Sequence, residues 1–329
     1  MKLLTIIVPT YNRAEFLGRL LLTLGEELLG HENLVDLIIG DNASTDHTPL
    51  VINTFLNTYS ETKIIRHLEN LGPDENFCKC IDVVNTPFFW IIGDDDMPKK
   101  NVISKVLKFL SVEKPDLLYL NSEWMPIISN QNDGGKVHSL KIRKVSRDEF
   151  ASQVNVWITF ISGMIVNLEK LQQLKPHSDI RKYKNTNLGQ LGWVLPLLMK
   201  RSNFYITSEQ CVLATSGNTG GYKLLTVFGI NFPMILDQEC GRASSVRNSI
   251  ISALVWRFLP GLIWGIRKSK LSNFYDEDHL EALSAFKDGI VYWLIYYPLI
   301  KFPKYIAFPI WASYRLFKKL NLLPVYFYK

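Results

Sequence analysis

Three consecutive carboxylates, Asp94-Asp95-Asp96, follow the apolar run Phe88-Phe89-Trp90-Ile91-Ile92 and Gly93. Like charges this close raise one another's pKa unless a cation sits among them. Oxygen ligands of this kind suit Mg²⁺ or Mn²⁺, which keep several waters and share their shell with phosphate oxygens. Asp94, Asp95 and Asp96 are therefore candidate metal ligands, and a metal-bound diphosphate is the matching guest. The plain alternative is a solvated acidic turn, or an N-cap for the helical segment after Pro98. The strongly apolar run in front of the triple favours the metal. Asp41 closes a second apolar run in the same way, and a carboxylate at such a strand end recognises a base or ribose in nucleotide-binding sheets. Tyr11 stands directly after the first apolar run, either as a flat face for a base or as a core residue.

Regular elements must bring these residues together. The hydrophobic pattern predicts strands over residues 3–8, 34–39, 63–67, 88–92 and 116–120, and helices over 13–29, 47–59, 73–84 and 101–110. Strand and helix alternating at these lengths predict a mainly parallel sheet with helices on both faces. Ligands then bind at the carboxyl ends of the strands. Polar residues gather there: Pro9-Thr10-Tyr11-Asn12-Arg13, Gly40-Asp41-Asn42-Ala43-Ser44-Thr45-Asp46, Glu69-Asn70-Leu71-Gly72-Pro73-Asp74 and Gly93-Asp94-Asp95-Asp96. Within them Asp46, helped by Ser44 and Thr45, reads as the N-cap of the next helix. Asn12 with Glu15 three residues on has the look of a capping pair. Beyond residue 121 the alternation stops. A turn-rich stretch at 130–135 and a basic run at 136–147 suggest a hairpin or flap. Ser146 and Glu149 form a capping box that opens a helix near Arg147.

Composition narrows the class. With 47% hydrophobic and 21% charged residues and no repeat, the 329-residue chain is neither disordered, collagen-like nor a solenoid. Cys78, Cys80, Cys211 and Cys240 are too few and scattered for a disulfide scaffold, and Cys78-Lys79-Cys80 lacks the second pair a zinc site needs, so buried reduced thiols are expected. The apolar run near the N-terminus is too short for a signal-peptide core, and no segment reads as a convincing membrane span. From Gly289 to Lys329 there are six basic residues, no acid and thirteen aromatic rings, so this stretch alone equals the formal net charge of +6. Aromatic rings with basic heads suit the headgroup layer of an anionic membrane, the competing reading being an aromatic helical core with solvated lysines. Nucleic-acid binding is not expected, because no basic cluster sits on the N-terminal half.

The four loop motifs, in order and spacing, resemble those of family 2 glycosyltransferases across roughly the first 120 residues. The stretch Leu71-Gly72-Pro73-Asp74 with Asn76-Phe77 is most similar to enzymes that build bacterial O-antigen or capsule repeats, such as abequosyltransferases. The resemblance implies a GT-A fold, a Rossmann-like α/β sheet. Resemblance and composition together divide the chain into a nucleotide-sugar-binding half (1–121), an acceptor-side part with the flap (122–222) and, from its aromatic and basic composition, a helical, membrane-associating region (223–329). The resemblance implies that Pro9, Thr10, Tyr11, Asn12, Arg13, Asp41, Asn42, Ser44, Asn70, Gly72 and Asp94 lie around the nucleotide, with Asp41 on the base. It further implies that the acidic triple holds Mg²⁺ or Mn²⁺. Read as Asp-any-Asp, the metal pair is Asp94 and Asp96. Aligned with the family's commoner Asp-Ser-Asp-Asp, Gly93 replaces the first Asp and Asp95 becomes the main ligand; Asp95 and Asp96 are the catalytic candidates.

The general base is where this sequence departs from the family. Many relatives carry an acidic pair where this chain reads Asn187-Leu188-Gly189-Gln190, and Gln190 cannot take a proton. Asp179 and Glu209 are the nearest carboxylates in sequence, although surface or capping roles suit them at least as well. A downstream His of the family is also replaced, by Thr215-Ser216-Gly217-Asn218-Thr219-Gly220-Gly221, either a phosphate-cradling loop or an ordinary turn. The expected activity is metal-dependent, inverting sugar transfer from a nucleotide sugar to a lipid-linked or saccharide acceptor. Its expected place is the cytoplasmic side of the plasma membrane, held peripherally. A phosphatase or phosphotransferase using the triple, disfavoured by Pro98, and a degenerate nucleotide-binding scaffold are the alternatives.

Overall fold

The computed structural model describes residues 2–126, 136–174, 179–216, 222–268, 277–320 and 322–323. Four strands open the chain: β1 (Leu4–Thr10), β2 (Val35–Asp41), β3 (Lys63–Arg66) and β4 (Phe88–Ile91). Between them run α1 (Ala14–Leu28), α2 (Thr48–Leu56) and α3 (Pro73–Ile81). A helix in each connection carries the chain back to its starting edge, so these strands pair in parallel, in the order β3-β2-β1-β4. Because β2 and β4 flank β1, the strand order reverses at β1. The crevice beyond the carboxyl ends of β1 and β4 is therefore where such sheets take ligands.

The second half follows a different rule. After β5 (Met97–Pro98) and α4 (Val102–Glu113) come β6 (Leu117–Pro126), β7 (Ile142–Val145), α5 (Arg147–Val154), β8 (Met164–Asn167), α6 (Leu168–Gln172), α7 (Leu191–Lys200) and β9 (Phe204–Ser216). The sheet continues β4-β8-β6-β9-β5, with β7 also on β9. Here β8 is antiparallel to both β4 and β6, whereas β6 and β9 run parallel. Uniformly parallel order thus belongs to the segment where strands and helices alternate, and the second half is mixed. β6 extends past the predicted end at residue 120, because β9 supplies a partner for it as far as Pro126, with the register shifting around Asn121. The turn-rich stretch read as a flap tip, 130–135, lies outside the described residues.

Alternation along the strands divides the two faces. Leu4, Ile6 and Val8 of β1, Val35, Leu37 and Ile39 of β2, and Phe88 and Trp90 of β4 join a core with Leu17, Leu20, Leu21 and Leu24 of α1 and Val102, Ile103 and Val106 of α4. The opposite face meets α3 and α7: Phe89 packs edge-on against Trp193, and Gly40 lies under α3. A Cβ at Gly40 would stand 2.5 Å from Cys80 Sγ and 2.8 Å from Asn76 Oδ1, so only a glycine lets α3 approach here. Burial pushes the Cys78 and Cys80 thiols up to about 12, in keeping with reduced, inert cysteines.

The residues cluster into two units, Met1–Arg147 with Trp157–Asn218, and Asp148–Val156 with Thr219–Lys329. The second is helical. Its helix Ser245–Lys268 is, among the described residues, the one helix long and apolar enough to cross a membrane by length and composition, yet 56% of its apolar window is buried inside the protein. Tyr296 donates its hydroxyl hydrogen to the Val255 carbonyl at 2.6 Å, and Tyr314 to the Trp256 carbonyl at 3.0 Å, so part of the aromatic tail is core. The helix Lys304–Lys319 buries Ala307 and Tyr314. Its other side leaves Tyr305, Ile306, Leu316 and Phe317 exposed, followed by exposed Leu320.

Gly40→Ala tests the close approach of α3. Overpacking of this kind costs about 1–3 kcal/mol, and denaturant unfolding should show a lowered midpoint with an unchanged m-value.

Candidate active site

Three loops at the carboxyl ends of β1, β2 and β3 are sewn together by asparagines. Asn12, at φ 52°, accepts hydrogen bonds on its Oδ1 from the N–H groups of Thr45 (2.7 Å) and Asp46 (3.3 Å), while its own N–H donates to Ser44 Oγ (2.9 Å). The side chain is therefore spent between loops, and the residue at the N-cap of α1 is Arg13, without a side-chain cap of its own, contrary to the Asn12–Glu15 capping expectation. Asn42 donates from Nδ2 to Asn70 Oδ1 (2.9 Å) and the Gly72 carbonyl (3.2 Å), and accepts from the Leu71 N–H (2.9 Å). Asp46 serves two helices, accepting from the N–H groups of Thr48 (2.9 Å) and Ala14 (3.2 Å). Asp41 is fully buried. Its Oδ1 accepts from the Ser44 N–H at 2.9 Å, while Oδ2 makes no hydrogen bond and has Arg66 Nε 3.4 Å away. Tyr11 is 41% exposed, which leaves its ring open rather than in the core.

The acidic triple closes the crevice from the β4 side. Asp94 Oδ2 accepts from Thr10 Oγ1 at 2.7 Å, and Asp94 Oδ1 from Arg13 Nη1 at 2.9 Å, which joins the β4 loop to the β1 loop. The same Arg13 nitrogen lies 3.2 Å from Asp95 Oδ2. Asp96 turns the other way: Oδ2 accepts from Ser162 Oγ at 2.5 Å and Oδ1 from the Thr215 N–H at 3.0 Å. Ser162 Oγ in turn accepts from the Gly93 N–H at 2.8 Å. Burial pushes the Asp94 carboxyl up to about 6 against the opposing pull of the Arg13 guanidinium, and it raises Asp96 as well, with the Asp95 charge adding to the effect. Such buried carboxyls at a strand end, compensated by one arginine, mark the site as built for charge.

Residues 5–163 match the family model for glycosyl transferase family 2. That segment is a family 2 glycosyl transferase domain. Among curated proteins the chain is 35% identical to abequosyltransferase RfbV of Salmonella typhimurium over 109 residues, 33% of this chain and 32% of that protein. It is 25% identical to the minor teichoic acid biosynthesis protein GgaA of Bacillus subtilis over 146 residues, 44% of this chain and 32% of that one. It is 30% identical to a processive diacylglycerol beta-glycosyltransferase of Mycoplasma genitalium over 124 residues, 37% and 36%. The matches thus span about a third of each curated relative. Among solved structures, S. aureus TarS 1–349 in complex with UDP superposes with TM-score 0.61 at 16% identity, covering 98% of this chain and 92% of that one. Mannosyltransferase PcManGT of Pyrobaculum calidifontis, in complex with GDP-Man and Mn²⁺, gives 0.52 at 13% identity, covering 97% and 87%. At such identities the likeness is one of fold, the GT-A arrangement of mixed sheet and flanking helices.

Within the transferase domain the three carboxylates diverge. Among the described residues no three His, Cys, Asp or Glu side chains form a metal cage. The donors present still fit a divalent cation of the Mg²⁺ type, which takes one or two carboxylates and completes its shell with water and phosphate. Asp95 is the most exposed of the three, and the bare Gly93 makes its cradle: a Cβ there would sit 3.1 Å from Asp95 Oδ1 and 3.2 Å from Asp96 Oδ2. An aspartate at position 93, as in the commoner family motif, would crowd both.

The base candidates do not join this cluster. Asp179 accepts from the Arg181 N–H at 2.8 Å, and Glu209 from the Lys141 N–H at 2.7 Å, six residues before Thr215 on β9. Gln190 donates from Nε2 to the Thr159 carbonyl at 2.7 Å. Residues 217–221 of the glycine-rich stretch lie outside the described residues. The structure gives three groups roles that sequence reading did not assign to them, although Thr215 and Asp74 stood within motifs already noted. Ser162 and Thr215 hold Asp96, and Asp74, buried at the start of α3, accepts from the Asn187 and Gly189 N–H groups at 3.0 Å each, clamping the stretch that carries Gln190. No local pattern marks any of them, because their partners lie 66 to 119 residues away.

Ser162→Ala removes the hydroxyl that serves both Asp96 and the Gly93 N–H. Leaving buried polar groups unpaired costs about 1–3 kcal/mol, and equilibrium denaturation should show that loss.

Proposed function

We propose that the protein transfers a sugar from a nucleotide-sugar donor to a lipid-linked or saccharide acceptor in bacterial surface polysaccharide synthesis, with inversion and with a divalent cation, Mg²⁺ or Mn²⁺. The observation that carries this reading is the Thr10–Asp94–Arg13 junction. It puts the acidic triple of β4 against the β1 loop at the point where strand order reverses. Tyr11 offers its open ring to the base, and Asp41, with Oδ2 lacking a hydrogen bond, receives a polar edge of the nucleoside. Asn12, Asn42, Ser44, Asn70 and Gly72 hold the loops in register, so the site is preorganised before the donor arrives. Asp95, with Asp94 beside it, would hold the cation, which when bound supplies Lewis-acid stabilisation of the departing diphosphate. Asp96, fixed by Ser162 and Thr215, positions the strand end rather than touching the donor.

In the transfer the bond between the anomeric carbon and the β-phosphate oxygen breaks, and the nucleoside diphosphate leaves with the electron pair. An acceptor hydroxyl oxygen forms the new bond from the opposite face and gives its proton to a base. On the acceptor side, the Trp124 ring lies tilted against Trp157 and Phe160, with centroids 5.0 and 5.1 Å away. It is 43% exposed, and its neighbour Met125 pairs with Thr215, so a flat apolar face for a sugar ring stands beside the acidic cluster. A nucleotide-binding scaffold without turnover is the second reading, favoured by Gln190 where relatives carry carboxylates.

The aromatic, basic tail supports a peripheral place on the cytoplasmic face of the plasma membrane. Along Lys304–Lys319 the exposed Tyr305 and Leu316, with Leu320 beyond, form one line, flanked by Arg315 and Lys319 on one side. An amphipathic helix of this pattern lies in the interface of anionic lipid.

Purified protein incubated with nucleotide sugars, with and without Mn²⁺, should release nucleoside diphosphate slowly; inorganic phosphate as the product would favour a phosphatase, and no product a scaffold. Asp95→Asn should abolish that release while circular dichroism and melting temperature stay unchanged, and full activity in this variant defeats the metal assignment. Deleting the tail would strip Tyr292 and Tyr296 from the core, so membrane contact is better tested by Leu316→Glu with Leu320→Glu. This double variant should pellet several-fold less with anionic vesicles; equal pelleting would return the tail to a purely structural role.

A further inference from the structure

Arg13 sits where a cation belongs. One nitrogen, Nη1, bridges carboxylates of two successive residues, 2.9 Å from Asp94 Oδ1 and 3.2 Å from Asp95 Oδ2. The other Asp94 oxygen is taken by Thr10, which fixes the carboxylate in this orientation. Arg13 itself is anchored at the backbone, its N–H donating to Thr48 Oγ1 at 3.1 Å, and its Cζ stands 6.0 Å from the centre of the Phe16 ring. The side chain is 27% exposed, so it is not sealed from solvent. Among the described residues its hydrogen bonds use Nη1 alone, which leaves the Nε and Nη2 donors for an incoming anion. A guanidinium fork matches two phosphate oxygens better than it matches one nitrogen shared between two carboxylates.

We infer that Arg13 is a positioning residue that holds Asp94 and Asp95 as a resident cation until a diphosphate draws it away, so that the nucleotide opens the site to the divalent ion. This rests on the transferase reading above. A guanidinium and a divalent ion cannot share the same carboxylate oxygens, so each weakens the other. A diphosphate that pulls Arg13 towards its own oxygens removes this competition and adds ligands of its own. Binding free energies are reciprocal, so the ion must tighten the nucleotide by the factor by which the nucleotide tightens the ion. The arrangement keeps the acidic cluster compensated between turnovers and ties capture of the cation to arrival of the donor.

The test is titration of the full chain with MnCl2, followed by electron paramagnetic resonance of the free ion, alone and with UDP, CDP, GDP or dTDP at saturation. Wild-type protein should bind Mn²⁺ weakly alone and at least about tenfold more tightly with the matching diphosphate. Arg13→Gln should bind Mn²⁺ alone about tenfold more tightly than wild type and lose most of the gain from the diphosphate. A merely structural role predicts weaker binding in both conditions, so the opposite sign without nucleotide is the decisive readout. Arg13→Lys, which keeps the charge but not the fork, should leave affinity for the bare ion near wild type while lowering the diphosphate coupling several-fold, and it serves if the glutamine variant does not fold. The inference is overturned if neither substitution changes the coupling, or if Arg13→Gln binds the bare ion no better than wild type. If wild-type protein binds no Mn²⁺ with any of the four diphosphates, it is the metal-dependent transferase reading that fails instead.

Discussion

Placing three adjacent carboxylates at the end of a buried strand is the constraint around which the first unit is arranged. Asp94 and Asp96 are almost fully buried, and a charged carboxyl removed from water is costly unless it is paired and hydrogen-bonded. The fold answers with partners from four separate elements. Thr10 comes from the end of β1, Arg13 from the turn into α1, Ser162 from the segment before β8, and Thr215 from the end of β9. Three strand pairings in the sheet bring these four partners into reach. The β1–β4 pairing delivers Thr10 and Arg13, the β4–β8 pairing delivers Ser162, and the β5–β9 pairing delivers Thr215.

Compensation of this kind also explains why the triple is not a cage. A set of carboxylates converging on one empty point would repel one another in the absence of the ion. Here Asp96 is withdrawn to one side by a hydroxyl and a backbone N–H. Asp94 and Asp95 are bridged on the other by a guanidinium. What remains for a cation is a shallow donor set beside Gly93, one that gains from phosphate oxygens. In the proposed reading the chemistry is thereby coupled to the substrate, whose nucleoside would lie against the polar loops of β1, β2 and β3, stitched by Asn12 and Asn42.

The C-terminal unit obeys a different balance. Tyr292, Tyr296 and Tyr314 are buried with hydroxyls or rings engaged, so the tail is a working part of a helical core. The same segment nevertheless shows a row of large apolar side chains to solvent, which is unusual for a surface with no partner. Core packing of the tail is thus visible in Tyr292, Tyr296 and Tyr314, while the exposed row along Lys304–Lys319 is the feature on which the proposed membrane contact rests.

The sequence by itself determined the elements and the crevice. The apolar runs over 3–8, 34–39 and 88–92 and the 3.6-residue pattern of Leu17, Leu20, Leu21 and Leu24 are local signals. The helical connections then force the parallel order that gathers four polar loops. The placing of Arg13 and Asp94 at one end of the sheet was legible for the same reason, since both follow strand ends. Tertiary structure alone decided how the charges are settled: that Asp96 faces Ser162 and Thr215, that Arg13 bridges Asp94 and Asp95, that Asn12 ties loops rather than capping α1, and that Asp74 clamps the stretch before α7. These are contacts across 32 to 119 residues, made by common polar side chains whose types say nothing of their partners. Hydrophobic periodicity is written along the chain, whereas compensation of a buried charge depends on which strands become neighbours.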